Sequence, residues 1–252
     1  MQSKSLKNRV AIITGGRRIG QAVALSLAKL GIHVVMTYRT KPGELSKLQK
    51  TCQKYGVSFI LIAADATKEA EVKRVIKTVQ KKFKRLDILI NMASTFERRP
   101  FNQLDKKQWD ADLAANLTSA FLFAKAAIPP MRQNRWGRII NFTDRTAATH
   151  QPGYTVNGYL AYYVAKGAVN SLTEVLALQE AKWGITVNAI APGPILPPPD
   201  MSAQERRTVA KTTPLGRWGG VEQMAKAVEY FILPDSFTTG VTLTIDGGRH
   251  LI

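Results

Sequence analysis

The sequence has a single cysteine, Cys52, in 252 residues. One thiol excludes an internal disulfide and a cysteine-rich zinc site, because both need several cysteines. The three histidines add no zinc-binding pattern. We therefore predict no metal site and interpret Cys52 as structurally incidental.

A long apolar run is also missing. No segment approaches the roughly 18 apolar residues of a membrane helix, and the start, MQSKSLKNRV, carries charge without a hydrophobic signal region after it. Hydrophobic residues still make up 45% of the chain, enough to bury a large core at this length. We predict one domain over residues 1–252, cytoplasmic and without a membrane segment.

Acidic residues are scarce: 18 Asp and Glu stand against 36 Lys and Arg, a formal net charge of +18. A dense basic patch would indicate nucleic-acid binding, but the lysines recur at helical intervals, as on the solvated faces of separate amphipathic helices. The two series are Lys47, Lys50 and Lys54, and Lys73, Lys77, Lys81 and Lys84. We favour a solvated surface, keep an anionic substrate or partner as the alternative, and do not favour nucleic acid.

Short apolar strands alternate with helical patterns along the whole chain, which indicates a parallel sheet with helices on both faces. The predicted fold class is α/β: a single-domain, Rossmann-type, doubly wound parallel sheet of about seven strands. The predicted strands are residues 9–14, 33–38, 58–63, 88–91, 137–142, 186–191 and 242–245. The predicted helices are residues 20–30, 43–55, 68–84, 105–133, 159–182 and 221–233.

A proline-rich segment, PGPILPPPD at residues 192–200, interrupts the alternation directly after a predicted strand. SAQE at residues 202–205 then offers a capping box for a short helix. Ligands of open α/β sheets bind beyond the carboxyl ends of the strands. We interpret residues 193–215 as a substrate loop, with an ordinary surface loop as the alternative.

The segment VAIITGGRRIGQAVALSLAKLG, residues 10–31, predicts a strand, a glycine turn and a helix. Glycines let the backbone approach a pyrophosphate, and the helix start presents unpaired amides to it. Because the strand precedes and the helix follows, we predict dinucleotide binding here. The assigned residues are Gly15, Arg17, Arg18, Ile19 and Gly20.

The second strand lacks the acidic residue that would bind the ribose 2′-hydroxyl of NAD about 20 positions past the glycines. It ends in TYRTK, residues 37–41. A guanidinium suits a phosphate group, so we predict NADPH (NADP⁺) rather than NADH. Tyr38, Arg39 and Thr40 are assigned to this part of the cofactor site, with Lys41 as a further candidate.

One spacing selects a proton donor among the four tyrosines of residues 143–166. Only Tyr162 has a lysine four residues later, Lys166, which places both side chains on one helical face. A nearby ammonium and an oxidised nicotinamide would lower the pKa of this tyrosine and make it a usable general acid. Tyr163 lies on another face and is predicted to pack, and His150 is interpreted as a loop residue.

These motifs, in this order, resemble the short-chain dehydrogenase/reductase family over essentially the whole chain. The similarity rests on TGGRRIG at residues 14–20, NMAS at 91–94, WDADLAANL at 109–117, YxxxK at 162–166 and PGPI at 192–195. The resemblance implies a homotetramer. It also implies that Lys166 holds the nicotinamide ribose and that Asn116 positions a water in a proton relay. The other cofactor residues it implies are Asp65, Ala66, Asn91, Ala93, Ser94, Pro192, Gly193 and Ile195.

Within the family the sequence is most similar to the pteridine reductases. The similarity rests on the basic pair Arg17 and Arg18, on NMASTF at residues 91–96, and on INFTD at 140–144, where Asp144 replaces the serine of most members. It implies that Ser94 contacts cofactor or pterin and that Phe96 stacks on the pterin ring. Two departures are a glycine loop one residue shorter than usual and a longer interval before Tyr162.

Asp144 bears on the substrate. A carboxylate would repel the oxyanion formed from a ketone, whereas it accepts hydrogen bonds from the amino and ring N–H groups of a pterin. A ring C=N therefore suits this site better than a simple ketone. The alternatives are a ketone or acyl-thioester reductase with Asp144 protonated or displaced, and a structural acid paired with Arg145 or Arg138.

The leading prediction is an NADPH-dependent reductase of a pterin-like ring C=N or a carbonyl. Its catalytic residues are Tyr162, Lys166, Asp144 and Asn116, and its substrate-binding residues are Ser94, Phe96, Asp144 and Tyr162. The alternative enzyme resembles a 3-oxoacyl-[acyl-carrier-protein] reductase. Its acidic carrier protein would meet Arg98, Arg99, Arg132 and Arg135. The alternative of another class is a cofactor-sensing or nucleic-acid-binding protein without turnover, against which the tyrosine and lysine pair argues.

Overall fold

The fold is that of a computed structural model, which describes residues 5–149, 157–199 and 201–252. Within these residues seven parallel strands form one sheet in the order β3-β2-β1-β4-β5-β6-β7. They are β1 (Val10–Gly15), β2 (His33–Tyr38), β3 (Phe59–Ala63), β4 (Ile88–Met92), β5 (Gly137–Phe142), β6 (Ile185–Pro192) and β7 (Thr242–Ile245). Each predicted strand is confirmed to within one residue at either end, and so is the α/β fold class.

Nine α-helices lie within the same residues. They are α1 (Ile19–Lys29), α2 (Leu45–Gln53), α3 (Glu69–Phe83), α4 (Lys106–Leu113), α5 (Ser119–Gln133), α6 (Arg145–Thr149), α7 (Leu160–Glu180), α8 (Ala203–Lys211) and α9 (Val221–Phe231). The predicted single helix at 105–133 is divided by a π-helical turn, Ala114–Thr118. The short helix α6 was not predicted from the sequence.

The helices cover both faces of the sheet because successive strand residues point to opposite sides. On β1, Ala11 and Ile13 pack with Leu27 of α1 in one cluster of buried residues. Val10 and Ile12, the intervening residues, belong to a second cluster that includes side chains of α3 and α5. A strand buried on both faces is apolar throughout, which is why these strands are visible in the sequence.

The strand order reverses at β1, which pairs with β2 on one side and β4 on the other. Connections leave in opposite directions at such a point, so a crevice opens beyond the carboxyl ends of β1 and β4. The glycine turn after β1 and the segment after β4 therefore meet there.

The helical run Lys106–Gln133 is long and apolar enough to cross a membrane by length and composition, and 50% of its most apolar window is buried inside the protein. In the fold, α5 packs against the sheet and contributes Phe123, Ala127 and Met131 to the buried cluster it shares with α3. The apolar side chains of this run thus have a structural explanation as one side of the core.

The interpreted substrate loop contains α8. Its N-cap Ser202 accepts a hydrogen bond from the Glu205 backbone N–H, and the Glu205 carboxylate accepts one from the Ser202 N–H. This reciprocal pair confirms the capping box predicted from SAQE.

Candidate active site

The glycine turn after β1 is possible only with glycine. Gly15 and Gly16 have φ values of 65° and 77°, a region that side-chain-bearing residues rarely adopt. A Cβ on Gly15 would lie 3.1 Å from the Cα of Ala93, and one on Gly16 would lie 3.1 Å from the Cα of Gly20. The turn therefore brings the backbone of β1, α1 and the segment after β4 into close contact.

A cleft of about 300 Å³ opens beside this turn. Nine of the predicted cofactor residues line it: Gly15, Arg17, Tyr38, Arg39, Thr40, Asp65, Ala66, Ala93 and Ser94. Gly16, Thr67, Met92 and Thr95 also line it and were missed as cofactor residues. Each is a sequence neighbour of a predicted residue, and this proximity is the one signal that would have found them.

Arg39 follows β2, Asp65 follows the adjacent strand β3, and both line this cleft. The Asp65 carboxylate accepts hydrogen bonds from the Thr67 N–H at 3.0 Å and the Thr67 hydroxyl at 2.7 Å. Burial raises the pKa of Asp65, but the Thr67 hydrogen bonds and the charges of Lys68 and Arg39 outweigh it and hold that pKa below its ordinary value. Asp65 is thus a charged acceptor facing the basic end of β2.

Other predicted cofactor residues lie outside the lining of this cleft. The Asn91 amide donates to Asn141 Oδ1 at 2.8 Å between β4 and β5, and only 5% of Asn91 is exposed. Its side chain joins two strands, and its role of lining the cofactor stays a prediction. Arg18 donates to the carbonyl of Pro197, which connects the glycine turn to the interpreted substrate loop. Ile19 and Gly20 form the first turn of α1.

Pro192 is the last residue of β6, Gly193 and Ile195 follow it, and none of the three lines the cleft beside the glycine turn. Ile195 is 3% exposed and packs in the core. A Cβ on Gly193 would lie 2.3 Å from the Cβ of Asp246, so glycine here permits contact between this segment and the turn after β7. The structure thus gives Ile195 and Gly193 packing roles.

The predicted catalytic side chains Tyr162, Lys166 and Asp144 come together at the carboxyl end of β5. The hydroxyl of Tyr162 lies 3.4 Å from Oδ2 of Asp144. Lys166 donates from Nζ to the Phe142 carbonyl at 2.8 Å, and its ammonium lies 5.7 Å from the centre of the Tyr162 ring. Both Tyr162 and Lys166 are buried.

The pKa of Tyr162 differs from the sequence expectation. Burial raises it well above its ordinary value, and the negative charge of Asp144 raises it further. In the structure the Lys166 ammonium donates to the Phe142 carbonyl, and the lowering of the Tyr162 pKa expected beside Lys166 and an oxidised nicotinamide stays a prediction. Burial lowers the pKa of Lys166 itself to about 8, against a smaller opposing effect of Asp144. Tyr162 is accordingly protonated at neutral pH and can serve as a donor.

Asp144 has two contacts with different consequences. Its Oδ1 accepts hydrogen bonds from the Thr146 N–H at 2.8 Å and the Thr146 hydroxyl at 2.6 Å, which caps the start of α6. The predicted structural pairings are absent among the described residues: Arg145 lies 3.9 Å from Asp246, and Arg138 donates to backbone carbonyls. Oδ2 faces Tyr162 and is not used by the cap.

Asn116 lies in the π-helical turn and is 1% exposed. Its Oδ1 accepts from the Ser94 hydroxyl at 2.6 Å and the Thr95 N–H at 3.2 Å. Its amide donates to the Thr95 hydroxyl at 3.2 Å and the Asp112 carbonyl at 3.0 Å. The side chain therefore holds the Ser94 segment through these protein partners, and the water that Asn116 is expected to position stays a prediction.

An aromatic cluster surrounds the ring of Tyr162. The rings of Phe96 and Tyr159 are parallel, 4.1 Å apart between centroids with 4° between planes. Phe96 also meets Tyr162 edge to face at 4.7 Å, and Tyr163 packs against Tyr162 at 5.2 Å as predicted. Phe96 is 55% exposed, which leaves apolar ring surface at the entrance to the site. His150 lies outside the described residues.

Comparison of the sequence with known proteins identifies the family of this chain. The family described as Enoyl-(Acyl carrier protein) reductase matches residues 15–250. The chain belongs to the short-chain dehydrogenase/reductase family. It is an oxidoreductase, and members of this family use nicotinamide cofactors.

Curated members of the short-chain dehydrogenase/reductase family align over nearly the full chain. A 3-oxoacyl-[acyl-carrier-protein] reductase of Synechocystis sp. is 32% identical over 248 residues, covering 97% of this chain and 98% of the relative. Glucose 1-dehydrogenase 2 of Bacillus subtilis is 30% identical over 256 residues, covering 98% and 97%.

Solved structures of the family superpose closely. The NADPH-dependent 3-quinuclidinone reductase of Rhodotorula rubra has a TM-score of 0.89 at 28% identity, covering 98% of this chain and 93% of that one. An NAD⁺-bound xylitol dehydrogenase has a TM-score of 0.84 at 29% identity, covering 97% and 100%. Because these two names carry different nicotinamide cofactors, the fold leaves the choice to the residues of the cleft.

The cleft residues fit the dinucleotide of a short-chain dehydrogenase/reductase. The two turn glycines leave backbone, not side chain, next to the cleft, and α1 begins directly after them without a side-chain cap on its amides. Such a helix start attracts a pyrophosphate. Arg39 and Asp65 are the charged side chains that would face the nucleotide beyond the ends of β2 and β3.

Proposed function

We propose that the protein is an NADPH-dependent reductase of a ring C=N in a pterin-like heterocycle, with Tyr162 as the proton donor. The observation that carries the proposal is the position of Asp144. A carboxylate oxygen, Oδ2, lies 3.4 Å from the Tyr162 hydroxyl, where a ketone reductase would benefit from a hydrogen-bond donor.

Oδ2 of Asp144 retains capacity to accept. Its distance to Tyr162 is longer than the 2.5–3.0 Å usual for an O–H···O bond, while the cap of α6 occupies Oδ1 alone. An N–H group of a substrate heterocycle would therefore find an acceptor here. One face of the Phe96 ring is stacked on Tyr159, and the exposed part of the ring supplies apolar surface for the same heterocycle.

A bound reduced nicotinamide would supply the hydride. The chain supplies the proton: Tyr162 is protonated at neutral pH because its pKa is raised, and its hydroxyl proton passes to the ring nitrogen as the C=N bond is reduced. Negative charge left on the Tyr162 oxygen is stabilised by the ammonium of Lys166 four residues on, 5.7 Å from the ring. Asp144 orients the substrate by accepting hydrogen bonds from the N–H groups of the heterocycle.

A second candidate is reduction of a 3-oxoacyl thioester, which the 32% identity to a 3-oxoacyl-[acyl-carrier-protein] reductase favours. A carrier protein would then be the partner. The two candidates differ in what Asp144 must do, because an ionised carboxylate hinders formation of an oxyanion and a serine assists it.

The test follows NADPH oxidation with a dihydropterin and with an acetoacetyl thioester, in the wild type and in Asp144→Ser. We expect pterin turnover in the wild type and a loss of about 100-fold in the variant, with thioester turnover unchanged or increased. Strong thioester turnover without pterin turnover in the wild type would replace the first proposal by the second. Tyr162→Phe should abolish both activities.

The proposed preference for NADPH is supported by the basic residues at the cleft, Arg39 and Arg17, and by the absence of an acid at the end of β2. A charge-assisted hydrogen bond contributes about 1.5–3 kcal/mol, and the exposure of Arg39 reduces it to about 1 kcal/mol, or about fivefold. Arg39→Ala should raise the KM for NADPH about fivefold and change that for NADH less than twofold. An equal effect on both would contradict the assignment.

We also propose a homotetramer that uses α5 and α7. Five large apolar side chains of these helices are exposed in the single chain: Phe121, Leu160, Val164, Val175 and Leu178. Exposed apolar surface of this kind is typical of an interface. Sedimentation should give a tetramer for the wild type and smaller species for Leu178→Lys. A monomeric wild type would refute the proposal.

A further inference from the structure

The segment after β4 carries the substrate wall, and three separate parts of the chain hold it. It runs from Ser94 to Arg99 and includes Phe96. Asn116 binds its start, as described above. Arg99 holds the end of the segment through two attachments, one by its backbone and one by its side chain.

The first attachment of Arg99 is through its backbone. Its N–H donates to the Gly158 carbonyl at 2.6 Å. Gly158 has a φ of 86°, and a Cβ there would lie 2.9 Å from Cγ of Arg98. The next residue is Tyr159, whose ring stacks on Phe96. This hydrogen bond therefore joins the two backbones that present the stacked rings.

The second attachment is through the guanidinium. Arg99 Nη1 donates to Asp112 Oδ2 at 2.7 Å, and the side chains of Arg99 and Asp112 are 19% and 6% exposed. Asp112 Oδ1 accepts from the Thr95 hydroxyl at 3.4 Å. Asp112 thus receives hydrogen bonds from both ends of the segment that carries Phe96.

Asp112 is held rigidly because it lies in the last turn of α4, and its carbonyl accepts from Asn116 in the π-helical turn. π-helical turns inserted in α-helices are frequent at functional sites. A partly buried, well-aligned Arg–carboxylate pair is far less screened than a surface pair. The pair therefore fixes the Phe96 segment relative to α4 and, through Gly158, relative to α7.

We infer that Arg99 and Asp112 form a positioning pair that fixes the stacked rings of Phe96 and Tyr159 beside the ring of Tyr162 and so sets selectivity for flat ring substrates. The inference rests on the proposed function for the identity of the substrate, but the positioning of the rings is independent of it. It also changes the interpretation of Arg99, which the sequence offered as a docking residue for a carrier protein. Its guanidinium is occupied by Asp112 and by Glu97.

The kinetic test is a double-mutant cycle of Arg99→Gln and Phe96→Ala, followed with a dihydropterin, with the flat diketone 9,10-phenanthrenequinone and with ethyl acetoacetate. Arg99→Gln should raise the KM for both flat substrates about tenfold and change kcat less than threefold. In the Phe96→Ala background the same change should alter KM less than twofold, since the ring it positions is gone. The ethyl acetoacetate KM should stay within twofold.

Lys106→Gln is the matched control, because it breaks an exposed ion pair with Asp110 on the same helix, α4. It should leave all three KM values unchanged. Arg99→Lys keeps the charge but not the guanidinium geometry and should restore part of the affinity. Equal KM effects of Arg99→Gln in the presence and absence of the Phe96 ring would overturn the inference.

A second measurement does not require turnover. Near-ultraviolet circular dichroism of wild type and Tyr159→Leu defines the tyrosine signal of the stacked rings. That signal should be lost in Arg99→Gln and retained in Lys106→Gln, with NADPH binding by fluorescence intact in both. Retention of the signal in Arg99→Gln would overturn the inference. If Arg99→Gln loses the signal but the wild type reduces no pterin, the proposed substrate is rejected and the positioning pair is retained.

Discussion

Replacement of Gly193 by alanine tests the packing between the segment after β6 and the turn after β7. A Cβ at Gly193 would lie 2.3 Å from the Asp246 Cβ and 2.7 Å from its Cα. Carbon atoms in contact are about 3.5 Å apart or more, so one backbone must move by about 1.2 Å. Such overpacking typically costs about 1–3 kcal/mol, and each kcal/mol lowers the Tm of a protein of this size by about 2–4 °C.

The cost extends beyond the contact because Asp246 organises its surroundings. Its carboxylate accepts from the backbone N–H of Gly248 at 3.0 Å and of His250 at 2.7 Å, and Arg145 lies 3.9 Å away. Gly193→Ala should therefore lower the Tm by about 2–12 °C in calorimetry. Gly167→Ala is the control, since a Cβ there meets nothing within 4 Å and alanine is favoured in a helix. A Gly193→Ala melt within 1 °C of wild type would refute the reasoning.

Two further predictions concern buried charges. Burial lowers the folded-state pKa of Lys166 to about 8, below the ordinary pKa that it has in the unfolded chain. The contribution of Lys166 to the free energy of unfolding is therefore lowest below pH 8 and rises as the pH goes from 8 to that ordinary pKa. Lys166→Met should stabilise the fold against urea at pH 7, and this difference should shrink by pH 10; a constant difference would contradict the assignment. Asp87→Asn should cost about 3 kcal/mol in urea unfolding, because the fully buried Asp87 pairs with Arg9 and Arg85, whereas Asp110→Asn on the surface should cost under about 0.5 kcal/mol.

The fold followed from the sequence because its signals are local and repeated. Strands such as β1 and β2 are buried on both faces and consequently read as unbroken apolar runs. The capping box of α8 is likewise contained in four residues. The short helix α6 escaped because RTAAT has no apolar stripe, and its N-cap, Asp144, was interpreted only as a functional residue.

The sequence indicated which side chains come together at the candidate site, but not which atoms they contact there. The spacing of Tyr162 and Lys166 identified a shared helical face, but not that the ammonium would reach the Phe142 carbonyl. Phe96 and Tyr159 stack across 63 positions of chain, and no local pattern encodes such a meeting. The π-helical turn at Asn116 is likewise a change of backbone hydrogen bonding without a signature in side-chain periodicity.

Asp144 shows why one residue can satisfy a structural and a chemical requirement together. A serine at this position could cap α6, since serine and aspartate are comparable N-caps, so the cap alone does not require a carboxylate. The second oxygen is what distinguishes aspartate from serine here. Oδ2 places negative charge beside the buried Tyr162 phenol and raises the pKa of Tyr162. That charge weakens Tyr162 as an acid, and a substrate that brings N–H donors to Oδ2 offsets the charge when the proton must leave. A heterocycle with N–H donors would thus make Tyr162 a stronger acid when it binds, whereas a simple ketone has no such donors and would not.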